Sequence, residues 1–148
     1  MAADAIVMVK GGVSLMFQAF SNTSTTYTAN APIAFPTIKY DDCRVRVTNG
    51  TSFRISAPGR YVIAFNGVGA ATTATTAFSL QLYKDGVAQP ETLTTITSVA
   101  ENNAGSLGFI TIVNVLPSCN CVNNTVTLQV IATAGVVSTA NIVIYRVK

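Results

Sequence analysis

Phe78, Leu80 and Leu82 alternate with Ser79, Gln81 and Tyr83, and Val126, Leu128 and Val130 alternate likewise with Thr125, Thr127 and Gln129. A period of two places successive side chains on opposite faces of a strand, so each segment presents one apolar face and one polar face. Every long segment of the chain reads with period two, and nowhere do apolar residues recur at helical spacing between caps. The chain is therefore all-β, and its 148 residues fit one domain able to bury a full core.

Turn chemistry divides the chain into about ten short strands, the spacing of a two-sheet sandwich. Residues 13–20 form the first, followed by a Ser/Thr/Asn-rich loop over 21–30. Extended structure resumes over 32–40, where Pro32 and Pro36 mark an edge or an irregular strand. Residues 43–48 and 52–56 flank Asn49-Gly50, a dipeptide suited to two positive φ angles in a tight hairpin, and Asp85-Gly86 turns the chain again after 78–83. Further strands are expected over 60–68, 87–98, 105–116, 125–133 and 139–147, with a loop over 117–124. The candidate core is Phe53, Tyr61, Ile63, Phe65, Phe78, Leu80, Leu82, Phe109, Val113, Val126, Leu128, Val130, Ile142 and Ile144.

Two strands depart from the one-sided pattern. In 107–116, Phe109 and Val113 point one way while Ile110 and Ile112 point the other; in the last strand Ile142 and Ile144 are opposed by Val143 and Tyr145. Such strands need cover on both faces, and a two-layer domain covers only one. Composition asks for the same cover: 49% of residues are apolar and only 10% charged, where soluble domains carry about 25% charged. A membrane is excluded as the cover, because residues 102–145, although uncharged, are interrupted throughout by Asn, Thr, Ser and Gly. A partner subunit is the economical answer.

Charge and chemistry-bearing residues exclude other classes. Nine basic and six acidic residues are scattered along the chain without the stripe that phosphate recognition requires, so nucleic acid is not an expected partner. Arg44 and Arg46, alternating with Val45 and Val47, read as the solvent face of a strand, and Asp41-Asp42 reads as a turn. With no His there is neither the usual general base nor the usual activator of a nucleophile, and the carboxylates sit mostly at turns and ends; no enzyme activity, cofactor or metal is expected. Cys43, Cys119 and Cys121 form neither a disulfide framework nor a zinc motif and read as free thiols. The opening MAADAIVMVKGG carries an acid where a secretory signal carries basic residues, so the chain is expected to be made and held in a reducing cytosol.

The stretches PIAFPTIKYDD, NGTSFRISAPGRYVIAF, FSLQLYKDGV, GSLGFITIVNV and NIVIYRV together resemble the domain shared by the tumour necrosis factor superfamily and the globular heads of complement's collagen-like recognition subunits. They are most similar to the C-terminal domains of collagen-like bacterial spore-surface glycoproteins and to related bacteriophage structural domains. The carrying motifs are Tyr61 and Phe65 after Pro58-Gly59, and the apolar strand leading into Lys84-Asp85-Gly86. The resemblance spans residues 13–148 and leaves 1–12 as an N-terminal arm. It implies a ten-stranded, two-sheet jelly roll that trimerises through its inner sheet, with 105–116 and 139–147 in that sheet and 77–84 and 125–133 in the outer one. It further implies a homotrimer whose subunits meet through Ile110, Ile112, Val143 and Tyr145; Val62 and Ala64, which alternate with the core residues Tyr61, Ile63 and Phe65, are assigned to the same contact. Departures are the lack of Gly-X-Y repeats and the longer LPSCNCVNN loop before residue 125. The implied role is a structural protein on the surface of a bacteriophage virion, a head decoration or head fibre made in the host bacterial cytoplasm and joined to other virion proteins through its arm. Two alternatives stand beside it: a receptor- or carbohydrate-binding fibre tip contacting a host surface glycan, with Tyr27 as the candidate loop aromatic, and a bacterial spore- or cell-surface protein.

Overall fold

A computed structural model describes residues 16–117 and 123–147. It contains strands β1 (Met16–Ser21), β2 (Thr25–Tyr27), β3 (Thr37–Tyr40), β4 (Val45–Thr48), β5 (Ser52–Ile55), β6 (Gly59–Ala71), β7 (Ala77–Lys84), β8 (Val87–Ala88), β9 (Thr94–Thr97), β10 (Gly105–Val115), β11 (Thr125–Ile131) and β12 (Gly135–Val147), and one 3-10 turn, Pro90–Thr92. Without the short pieces β2 and β8 the count is the expected ten. The expected arm, residues 1–12, lies outside the described residues, as do Cys119 and Cys121.

The strands form two six-stranded antiparallel sheets. The inner sheet runs β10-β6-β12-β1-β3 with β2 also on β12; the outer runs β9-β7-β11-β5-β4 with β8 also on β7. This interleaved order is a jelly roll, and the four segments assigned to sheets from the resemblance lie where expected. Residues 30–33 extend the outer sheet beyond β5: the Ile33 amide donates to the Leu128 carbonyl at 2.7 Å and Pro32 bridges Gln129. Proline is tolerated there because the isolated bridge does not call on its missing N–H.

Turn residues act as their chemistry dictates, with instructive differences. Asp85 (φ 51°) and Gly86 (φ 80°) make a two-residue hairpin, Lys84 pairing Val87. Asn49 (φ 56°) and Gly50 (φ 69°) also take positive φ, but Thr48 pairs Ser52, so this loop has three residues rather than two. The loop expected over 21–30 contains β2, which the edge of β12 recruits despite its polar sequence. The single return strand expected over 87–98 is split. Pro90 cannot donate to the ladder, the chain makes a 3-10 turn, and the Thr92 hydroxyl fills the gap by accepting from the Leu82 amide (2.9 Å) and donating to the Gln89 carbonyl (2.7 Å). β12 begins at Gly135 rather than 139; a Cβ at 135 would collide with the Phe78 ring, so glycine alone lets the strand pass there.

Between the sheets Phe17–Phe53 (5.5 Å), Phe53–Phe35 (5.7 Å), Phe35–Phe65 (6.2 Å) and Phe65–Phe109 (5.6 Å) form a continuous run of tilted and edge-on ring contacts. Every expected core residue is buried except Phe109, which is half-buried and packs against the core from the edge strand β10. Phe17, Ile33, Phe35 and Ile55 join the core as well. Tyr61 is fully buried with its hydroxyl donating to the Ala57 carbonyl at 2.9 Å, and burial raises its pKa.

Candidate subunit interface

The inward residues of the inner sheet, Phe17 and Ala19, Tyr61, Ile63 and Phe65, Ile142 and Ile144, commit their neighbours in sequence to the opposite face. Strand register then lines those neighbours up. Ile110 pairs Ala64, Ala64 pairs Val143, and Val143 pairs Gln18; one step along, Ile112 pairs Val62, Val62 pairs Tyr145, and Tyr145 pairs Met16. All six residues expected at a subunit contact thus occupy two adjacent cross-strand rungs on one face. Ile110 is 74% exposed, Ile112 58% and Met16 45%, while Val62, Ala64, Val143 and Tyr145 are half-buried by their neighbours. Among the described residues nothing covers this surface, and Met16 extends it by the same alternation within β1.

The face turns polar at the next rung, where Gly108 pairs Asn66, Asn66 pairs Asn141 and Asn141 pairs Phe20. Gln18 Nε2 donates to Asn141 Oδ1 at 2.7 Å. These amides, with Phe20, Thr37 and Lys39, line a cleft of about 580 Å³. The cleft offers hydrogen-bond donors, acceptors and one cation, but no nucleophile paired with a base. Among the described residues no group of three or more His, Cys, Asp or Glu could hold a metal ion, and no helix is long and apolar enough to cross a membrane.

Other residues singled out from sequence fall elsewhere. Tyr27 is not an exposed loop aromatic: it is half-buried against the core, and its hydroxyl accepts from the Ala34 amide at 3.1 Å. Asp42 is buried in the turn expected at 41–42, accepting from the Arg44 amide (2.9 Å) and its guanidinium (2.9 Å), which raises the Arg44 pKa. Arg46 is on the solvent face of β4 as expected, whereas Arg44 precedes the strand. Cys43 is exposed and unpaired. One polar contact was not legible from sequence: Thr111, on the inward face of β10, donates to the Glu91 carboxylate on the 3-10 turn at 2.6 Å and holds the Glu91 pKa below its ordinary value.

The same arrangement of sheets recurs in solved structures. The Eiger TNF of S. frugiperda superposes with a TM-score of 0.69 over 91% of this chain and 93% of its own, at 9% identity. The globular domain of zebrafish complement 1qA gives 0.64 over 90% and 98%, at 12% identity. The fold is the tumour necrosis factor-like jelly roll. A viral example of this TNF-like fold is PRD1 vertex protein P5, with a TM-score of 0.58 over 90% of this chain and 73% of its own, at 11% identity. No family model and no curated protein matches the sequence itself. What the TNF-like domain shares with these structures, at such identities, is its fold.

Proposed function

We propose that this TNF-like domain is a non-enzymatic structural subunit that assembles as a homotrimer through the outward face of its inner sheet and is displayed on the surface of a bacteriophage virion, as a head decoration or head fibre. One observation carries the reading: two adjacent rungs of mostly apolar side chains, with Ile110 and Ile112 mostly in solvent, on a face that the described residues leave bare. Three copies related by a cyclic axis would bury it and close the assembly. The vertex-protein likeness supports a place on a viral particle. The test is the molar mass of the purified full chain by light scattering, expected at three times 15.5 kDa. Tyr145→Asp should yield monomers or aggregates, because a buried unpaired charge costs several kcal/mol, roughly 3–5. A wild-type monomer at micromolar concentration, or a fully trimeric Tyr145→Asp variant, would refute the assembly. Mass spectrometry of purified particles tests the virion assignment. A glycan-binding reading has the amide-lined cleft in its favour, and a glycan array with the wild-type chain tests it.

A further inference from the structure

Six basic residues widely separated in sequence come together at one end of the sandwich. Ile55 leads through residues 56–58 into Gly59, so Arg54 and Arg60 share an end; Arg54 pairs Arg46, Arg60 pairs Val147 beside Arg146, and Lys84 pairs Val126 next to Thr125, which itself pairs Arg54. Arg44, just ahead of β4, completes the group. Met16 and Val147, the first and last described strand residues, lie at this end too. Loops 22–24, 72–76, 98–104 and 132–134 lie at the far end, where Glu101 is the one charge among the described residues.

The carboxylates at the basic end are largely engaged locally. Asp42 holds Arg44, and Asp85 holds Lys84 (3.2 Å) and accepts from the Thr125 amide (2.9 Å). Arg46, Arg54, Arg60 and Arg146 have no carboxylate within salt-bridge distance among the described residues, leaving Asp41 as the single acid of this end with no such partner. Arg46 and Arg54 are exposed and directly opposite each other across β4 and β5, an arrangement that destabilises a sheet through like-charge repulsion. Folding gains nothing from the pair; a carboxylate-bearing partner would.

We propose that this end docks onto an acidic protein surface, with Arg46 and Arg54 forming the central paired contact. Arginine forks recognise carboxylates bidentately, and two of them side by side on a rigid sheet present preorganised donors. The interspersed Asp41, Asp42 and Asp85 disfavour a uniformly charged phosphate backbone and fit a protein surface bearing both signs. The inference rests on the structural-subunit reading only for where that acidic surface lies; the charge argument stands on this chain alone.

The test titrates fluorescent poly-L-glutamate into the full chain at about 50 mM salt, where the Debye length leaves surface charges effective, with a DNA duplex as comparison and light scattering on the same samples. Arg46→Gln/Arg54→Gln should weaken poly-L-glutamate binding about tenfold or more, while Lys39→Gln, the one described basic residue outside the group of six, should leave it unchanged. The double variant should melt no lower than wild type, since the repulsion is relieved. Unchanged binding by the double variant, an equal loss in Lys39→Gln, tighter binding to DNA, or no poly-L-glutamate binding by wild type would overturn the proposal. A trimer that fails to bind counts against this surface alone, whereas a monomer that binds counts against the assembly alone.

Discussion

Ile110→Ala separates the proposed subunit contact from the protomer's own fold. The substitution removes three carbon groups, each worth about 0.8 kcal/mol when buried. Ile110 is 74% exposed in the protomer, so about three quarters of that burial, roughly 1.8 kcal/mol, is available only from a partner. A closed trimer contains the site three times, giving about 5 kcal/mol per assembly. At tenfold per 1.4 kcal/mol the overall association constant falls about 10⁴-fold, and because that constant scales as concentration squared the midpoint rises about 100-fold. Sedimentation velocity across a dilution series reads the midpoint directly. Val99→Ala provides the control, because Val99 is 76% exposed yet lies outside the two rungs. The variant's circular dichroism should match wild type, since little of Ile110 is buried by its own chain. A midpoint within about threefold of wild type, with wild type a trimer, would refute the reasoning, because the solvent-facing part of Ile110 would then gain no cover on assembly.

Gly135→Ala sets a Cβ against the buried Phe78 ring and should destabilise the domain by about 1–3 kcal/mol in urea titration; Phe78→Leu in the same chain should recover part of the loss. Thr111→Val removes the hydrogen bond that lowers the Glu91 pKa. A depressed carboxyl contributes stability that is present above its unfolded pKa and lost as pH falls through the folded one. Wild type should therefore exceed Thr111→Val at pH 7 by a margin that shrinks on acidification through and below the ordinary glutamate range, and a margin independent of pH in chemical denaturation would contradict the assignment.

Alternation alone identified which face of β6, β7 and β11 is buried, because a strand's side-chain period is two whatever the fold; β12, apolar on both faces, needed the family resemblance to tell its faces apart. Asn49-Gly50 and Asp85-Gly86 marked their turns because few other dipeptides adopt positive φ at both positions. Of the six residues proposed for the subunit contact, Ile110, Ile112, Val143 and Tyr145 came from the family resemblance, and Val62 and Ala64 from their alternation with Tyr61, Ile63 and Phe65. β2 escaped notice because a Thr-rich segment becomes a strand only where a free edge is waiting for it. Tyr27 looked like a loop aromatic because nothing local reveals that its hydroxyl is used by Ala34, seven residues on.

By itself the sequence determined the all-β class, the inward face of each strand with one apolar side and the high apolar share that asks for further cover, since each follows from residue type and local period. The tertiary structure alone decided that β10 is an edge strand, that Gly135 must pass a phenyl ring, and that arginines distributed from residue 44 to residue 146 meet at one end. Those are consequences of strand order and register, which pair residues far apart in the chain and are set by long-range packing.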